Sequence, residues 1–168
     1  MAISFGPIVA GAYRGTYNAV ALGFTVEGYR YGVEWLAETI NQTDLFGQTM
    51  IDMVYLGANA QLSYRSRTYS AADIAPATPW GPLGQIASPA LPISRLARNA
   101  AKPFVLTAVA NTPAAAAPAT LTAALAILAP NSRVELLFDS KAREIPVTLN
   151  LLPYESATAD TMVHATST

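Results

Sequence analysis

Apolar and polar positions alternate along much of this chain with a period of two. The clearest stretch is residues 58–69, where Gln61, Ser63, Arg65 and Arg67 interleave with Ala60, Leu62 and Tyr64. Successive side chains of a strand point to opposite faces, so this spacing predicts a strand with one dry face. Upstream, Gly11, Gly15, Gly23, Gly28, Gly32, Gly47 and Gly57 divide the first seventy positions into short runs rich in Tyr, Val, Thr and Ile. Glycine supplies the positive φ of tight turns, and aromatic and β-branched residues suit a pleated surface, so these runs read as strands. One covers residues 17–26 and ends near a turn at Gly28-Tyr29-Arg30. A second covers residues 31–40, where residues 33–38 also fit a helical turn. Residues 41–47 form a connecting loop, and residues 50–52 a short strand.

The second half offers four more strands, at residues 103–110, 121–128, 133–138 and 144–152. Ala and Leu in the second of these favour helix, but the flanking strands favour a sheet. The last two make a hairpin around the polar turn at residues 139–143. Pro146 lacks an N–H, which assigns it to a strand start or edge. Between the halves lies a helical turn at residues 71–74. It leads into a Pro-rich loop, residues 73–92, with Pro76, Pro79, Pro82, Pro89 and Pro92. That loop carries no charge from Ile74 to Ser94, which favours contact with protein over free solvation. The expected fold is therefore mainly β: an antiparallel sandwich or barrel with at most one short helix. It forms one domain over residues 1–168, with an N-terminal arm (1–12) and a C-terminal tail (155–168).

Composition changes the picture in one respect. Of 168 residues, 52% are hydrophobic and only 12% charged, with a net charge of −1. Surfaces usually carry roughly 25–35% charged residues, so this exterior reads as one completed by other copies of the chain. The near-zero net charge gives no field to attract nucleic acid or an anionic membrane. The absence of Cys excludes disulfides, thiolate metal sites and Cys nucleophiles, and the single His, near the C-terminus, argues against a His-ligated metal or a Ser-His-Asp triad. His164 reads as a solvated side chain. No phosphate-binding or nucleophile-elbow motif occurs, and Asp44-Leu-Phe-Gly-Gln-Thr lacks the alternating ligands of a calcium loop. No catalytic, metal or cofactor set is expected, and the chain is not expected to be an enzyme. Residues 103–132 are uncharged, but Asn111, Pro113 and Pro118 interrupt any membrane span. The first seven residues lack the basic stretch of a secretory signal.

Leu22-Gly-Phe-Thr-Val-Glu-Gly-Tyr29 is followed by Glu38-Thr-Ile-Asn-Gln-Thr-Asp44 and then by Asp44-x-x-Gly47-x-Thr49-x-x-Asp52 before a glycine-led strand. That order resembles the tail tube proteins of tailed bacteriophages. Val134-Glu-Leu-Leu-Phe and Arg143-Glu-Ile-Pro-Val-Thr-Leu-Asn-Leu-Leu-Pro-Tyr154 are similar to the closing strands of such proteins. The resemblance covers most of residues 9–154. It implies a virion structural protein made in the host bacterial cytoplasm, without membrane insertion. Six copies would close into rings that stack into a tube, in contact with other phage tail proteins. Genomic DNA would pass through without specific binding. Four strands from each of six copies put the backbone circle near ~45–50 Å across. On this reading the strands of residues 17–40 and 58–69 line the bore. Glu34, Glu38, Asp44, Gly47, Thr49, Asp52, Arg65, Arg67 and Arg143 fall at subunit or ring contacts. Arg14, Arg30, Arg65 and Arg67 would pair with acids of their own region or of a neighbour. The alternatives are a neck, connector or capsid decoration protein, which forms a closed ring, and a carbohydrate-binding sandwich using the tyrosines at 13, 17, 29, 31, 55, 64 and 69 as a platform.

Overall fold

The structure is a computed structural model, and it describes residues 13–42, 49–79, 96–109, 120–132, 134, 144–155 and 162–167. Most of it is one antiparallel sheet. The main strands in chain order are β1 (Tyr13–Tyr17), β2 (Val20–Ala21), β3 (Thr25–Gln42), β4 (Thr49–Ser66), β5 (Lys102–Ala108), β6 (Thr120–Leu128) and β7 (Ile145–Leu151). Their order in the sheet is β2-β1-β5-β6-β7-β4-β3. Three two-residue strands complete the set: β8 (Tyr154–Glu155) pairs with β9 (Met162–Val163), and β10 (Thr166–Ser167) adds to β6. Helix is confined to single turns, α1 (Ala71–Ile74), a 3-10 turn (Ala75–Ala77) and α2 (Ala97–Ala100). Among the described residues no helix is long and apolar enough to cross a membrane.

The mainly antiparallel β architecture is as expected, but the ladder is open, with β2 and β3 at its two ends. Five strand spacings of ~4.8 Å would separate β1 from β3 by about 24 Å in a flat sheet. Yet the Tyr29 hydroxyl of β3 is hydrogen-bonded to the Gly15 backbone of β1. The sheet is therefore curled, and side chains rather than backbone pairing join its ends. A Cβ on Gly15 would lie 2.5 Å from the Tyr29 hydroxyl, so the close approach requires glycine there.

The core lies on the concave face. Tyr17, Leu62, Tyr64, Phe104, Leu106, Ile145, Val147, Leu149 and Leu151 fill it. Phe104 sits at its centre, with ring centroids 6.5 Å from Tyr17 and 6.0 Å from both Tyr29 and Tyr64. The β7 pattern, with Ile145, Val147, Leu149 and Leu151 buried between Pro146, Thr148 and Asn150, shows the period of two directly. Pro146 stands near the start of β7, opposite Arg65 and outside the stretch that pairs with β6, as its missing N–H demands.

Burial pushes the Tyr17 hydroxyl up from 10.0 to about 12. It also raises Tyr29 and, more strongly, Tyr64, where the nearby Tyr29, Asp73 and Tyr17 add to the effect. Groups raised in the folded state contribute stability that is complete below the unfolded value and is lost as pH rises through the folded one. Unfolding should therefore set in between about pH 10 and 12. In a spectrophotometric titration these phenols should ionise together with loss of the circular dichroism signal. Ionisation of all eight tyrosines in a still-folded protein would contradict this packing.

Several boundaries differ from the sequence reading. Residues 17–26 are not one strand, because Asn18 and Ala19 both take positive φ (50° and 63°) and close a two-residue hairpin between β1 and β2. Gly28-Tyr29-Arg30 is not a turn. Glu27 and Gly28 bulge out of β3 at φ of 61° and 75°, and pairing with β4 resumes at Tyr29 and Tyr64. The strands expected at residues 50–52 and 58–69 are one 18-residue strand, with Gly57 at a bulge (φ 142°) rather than at a break. The helical alternative for residues 33–38 gives way to strand. In the expected Pro-rich loop, residues 73–77 belong to α1 and the 3-10 turn, while residues 80–92 lie outside the described residues. So do the N-terminal arm, residues 43–48 and the strand expected at residues 133–138, Val134 alone excepted. His164 is not solvated: it is half-buried, and its Nδ1–H donates to the Leu151 carbonyl at 2.7 Å.

Candidate assembly interface

β3 and β4 pair along nearly their whole length, from Thr25 opposite Ser66 to Gln42 opposite Thr49. The other strands do not follow them that far. β7 flanks β4 only from Ala60 to Ser66. Beyond that point residues 33–42 and 49–59 form a two-stranded ribbon of about 30 Å, at ~3.3 Å per residue. Among the described residues nothing pairs with the outer edge of β3 anywhere, or with the outer edge of β4 before Ala60.

The cross-strand pairs assign side chains to the two faces of the ribbon. Trp35 stands opposite Ala58, Ala37 opposite Tyr55 and Thr39 opposite Met53, on the face that continues the core. Trp35 and Tyr55 stack with centroids 5.5 Å apart. Because the cover of the body stops at Ala60, these rings remain 70% and 58% exposed. The opposite face carries Glu34, Leu36, Glu38 and Ile40 of β3, with Asn59, Val54 and Asp52 across from them. Leu36, Ile40, Met50, Met53, Val54 and Leu56 are all exposed. The ribbon is thus apolar on the Trp35 face, mixed apolar and acidic on the other, and unpaired at both edges among the described residues. An isolated two-stranded hairpin is marginal in water, and long, flat, apolar edges recruit further strands.

The expected site residues distribute as follows. Glu34, Glu38, Thr49 and Asp52 all belong to the ribbon, so Thr49 and Asp52 are strand residues, not members of a loop. Asp52 accepts the Met53 N–H at 2.8 Å. Arg65 lies at the base of the sheet, 3.7 Å from Glu144 across an exposed surface, a pair worth ~0–1 kcal/mol. Arg30 pairs with Glu27 at 3.2 Å, within its own region. Arg67 follows β4 and donates its backbone N–H to the Phe24 carbonyl at 2.8 Å. It is therefore not brought together with the ribbon carboxylates. Asp44, Gly47 and Arg143 lie outside the described residues.

The sequence reading singled out the carboxylates and passed over the more informative neighbours, Trp35, Met53, Val54, Tyr55 and Leu56. A usable signal was present. Met50-Ile51-Asp52-Met53-Val54-Tyr55-Leu56 is apolar at both parities, the mark of a strand covered on both faces. The described residues supply no such cover. Among them, no cluster of three His, Asp or Glu side chains is placed to hold a metal ion. A scan against protein-family models finds no match to this chain. A search of curated proteins finds none either.

Proposed function

We propose that this chain is a structural subunit that self-assembles into stacked rings, forming a tail tube of the bacteriophage type through which DNA passes. The observation that carries this reading is the β3–β4 ribbon, with exposed apolar side chains on both faces and, among the described residues, both outer edges unpaired. Copies related by rotation about an axis along the ribbon would place β3 of one beside β4 of the next, antiparallel, so the ladder continues from copy to copy. Closure of such a ring removes both edges of every ribbon at once. The polar face of β3 and β4 suits the bore, since Arg30 and Arg65 stand with Glu34, Glu38 and Asp52 along it. A balanced wall does not hold DNA by neutralising its phosphates. The six-fold symmetry, the virion location and the contact with other tail proteins rest on the sequence resemblance.

Negative-stain electron microscopy of the purified chain tests the proposal. Hollow cylinders with a regular axial repeat are expected. Single closed rings at all concentrations would favour a neck, connector or decoration protein, and a monodisperse monomer would overturn self-assembly altogether.

A further inference from the structure

We propose that the exposed ring pair of the ribbon, Trp35 and Tyr55, docks into an apolar socket on the body of a second copy of this chain. This rests on the tube reading, because the contact has to repeat from copy to copy. The socket is a pocket of about 430 Å³. Its walls are the Tyr17 ring of β1, Val20 of β2 and the methyl groups of Ala71, Ala72 and Ala75, with Lys102 at the start of β5. Its volume lies in the range of roughly 300–1,000 Å³ typical of sites for ring-sized ligands. Trp35 is 70% exposed, so the chain's own socket does not hold it. Phe24, 81% exposed, is a poorer knob for a neighbour because Gly23 tethers its loop to Asp73 of α1, the helix that lines the socket.

The Trp35 face of the ribbon carries no charged side chain among the described residues, since Glu34, Glu38 and Asp52 stand on the other face, so the ring pair brings no cation against Lys102, the only charged residue lining the socket. The Lys102 ammonium suits the face of an indole or phenol ring. Two aromatic side chains bury roughly 150–250 Å² each, and Met50 and Met53, exposed on the same face, add to the contact. Knob and socket occupy different parts of the molecule, so the contact is head-to-tail and propagates, as a filament of stacked rings requires.

The absence of native Cys makes the test free of background. Ala37→Cys places a thiol on the Trp35 face of the ribbon, and Ala71→Cys places one at the socket; both positions are exposed. The two variants are prepared separately, mixed, allowed to assemble and treated with a short bis-maleimide. Covalent heterodimers are expected from the mixture, with at least a tenfold lower yield when Trp35→Ala is added to the ribbon variant. Should Ala71→Cys lose its β-type circular dichroism, Lys102→Cys supplies the socket thiol. Assembled particles without mixed cross-links, or cross-links indifferent to Trp35→Ala, would overturn the docking and leave the tube reading standing. Failure of the unmodified chain to assemble would overturn both.

Discussion

Asp73→Ala should lower the stability of the folded chain by about 3 kcal/mol. The carboxylate is 1% exposed and works in two directions. Locally it completes a capping box with Ser70, accepting the Ser70 hydroxyl at 2.6 Å and its backbone N–H at 3.2 Å while Ser70 caps α1 in return. At long range it accepts the Gly23 N–H at 2.7 Å, and it takes a further bond from the Thr68 side chain. The Gly23 contact fixes the segment between β2 and β3, where the curled sheet has no backbone ladder. Alanine would remove these charge-assisted bonds at once, and because Gly23 and Ser70 are exposed, the loss is that of the bonds themselves. At ~2–4 °C per kcal/mol for a domain of this size, the midpoint of thermal unfolding should fall by about 6–12 °C. A loss under 1 kcal/mol in urea titrations would show that the seam does not depend on this residue.

The same residue fixes the sign of the acid response. Burial pulls the Asp73 carboxyl upward, but hydrogen bonds from Ser70, Thr68 and Gly23 outweigh it and hold the group below its usual 3.8. A carboxyl depressed in the folded state contributes stability that is present above the unfolded value and lost as pH falls through the folded one. Stability of the native chain should therefore decline below about pH 3.8, and the Asp73→Ala chain should lack that part of the decline.

What the sequence made legible follows from what covers each strand. The alternation of residues 58–66 stood out because, where β7 pairs beside β4, the core covers one face of β4 and water wets the other. The Asn18-Ala19 hairpin was hidden because neither residue is glycine, although asparagine tolerates positive φ better than most. Gly28 and Gly57 misled in the opposite sense. Each looked like the end of a strand, and each sits in a bulge inside one, since a glycine at positive φ serves a bulge as readily as a turn. Ser70-x-x-Asp73 spells a capping box in the sequence, but nothing local says that its carboxylate also holds Gly23, fifty residues away. Carboxylates drew attention at the candidate interface because charged residues are rare in this chain. The aromatic pair Trp35–Tyr55 became visible only when cross-strand register placed two residues twenty positions apart on one face.

The double substitution Met50→Lys with Met53→Lys should abolish assembly while leaving the fold intact. The two positions lie opposite Asn41 and Thr39 on the Trp35 face of the ribbon and are 51% and 56% exposed in the single chain. Exposed substitutions of this kind usually change stability by no more than ~0.5 kcal/mol, so the melting curve of the unassembled protein should barely move. In the assembly that face is covered by a neighbouring copy, and because it carries no carboxylate each ammonium would leave water without a counter-charge, at a cost of several kcal/mol. Every 1.4 kcal/mol is tenfold in association, so two such burials should raise the critical concentration for assembly by at least ~10³-fold. Sedimentation of native and substituted chains over a concentration series reads this directly. Substituted chains that pelleted at the native concentration would mean that the ribbon remains in water in the particle. The drive to assemble would then have to arise elsewhere on the molecule.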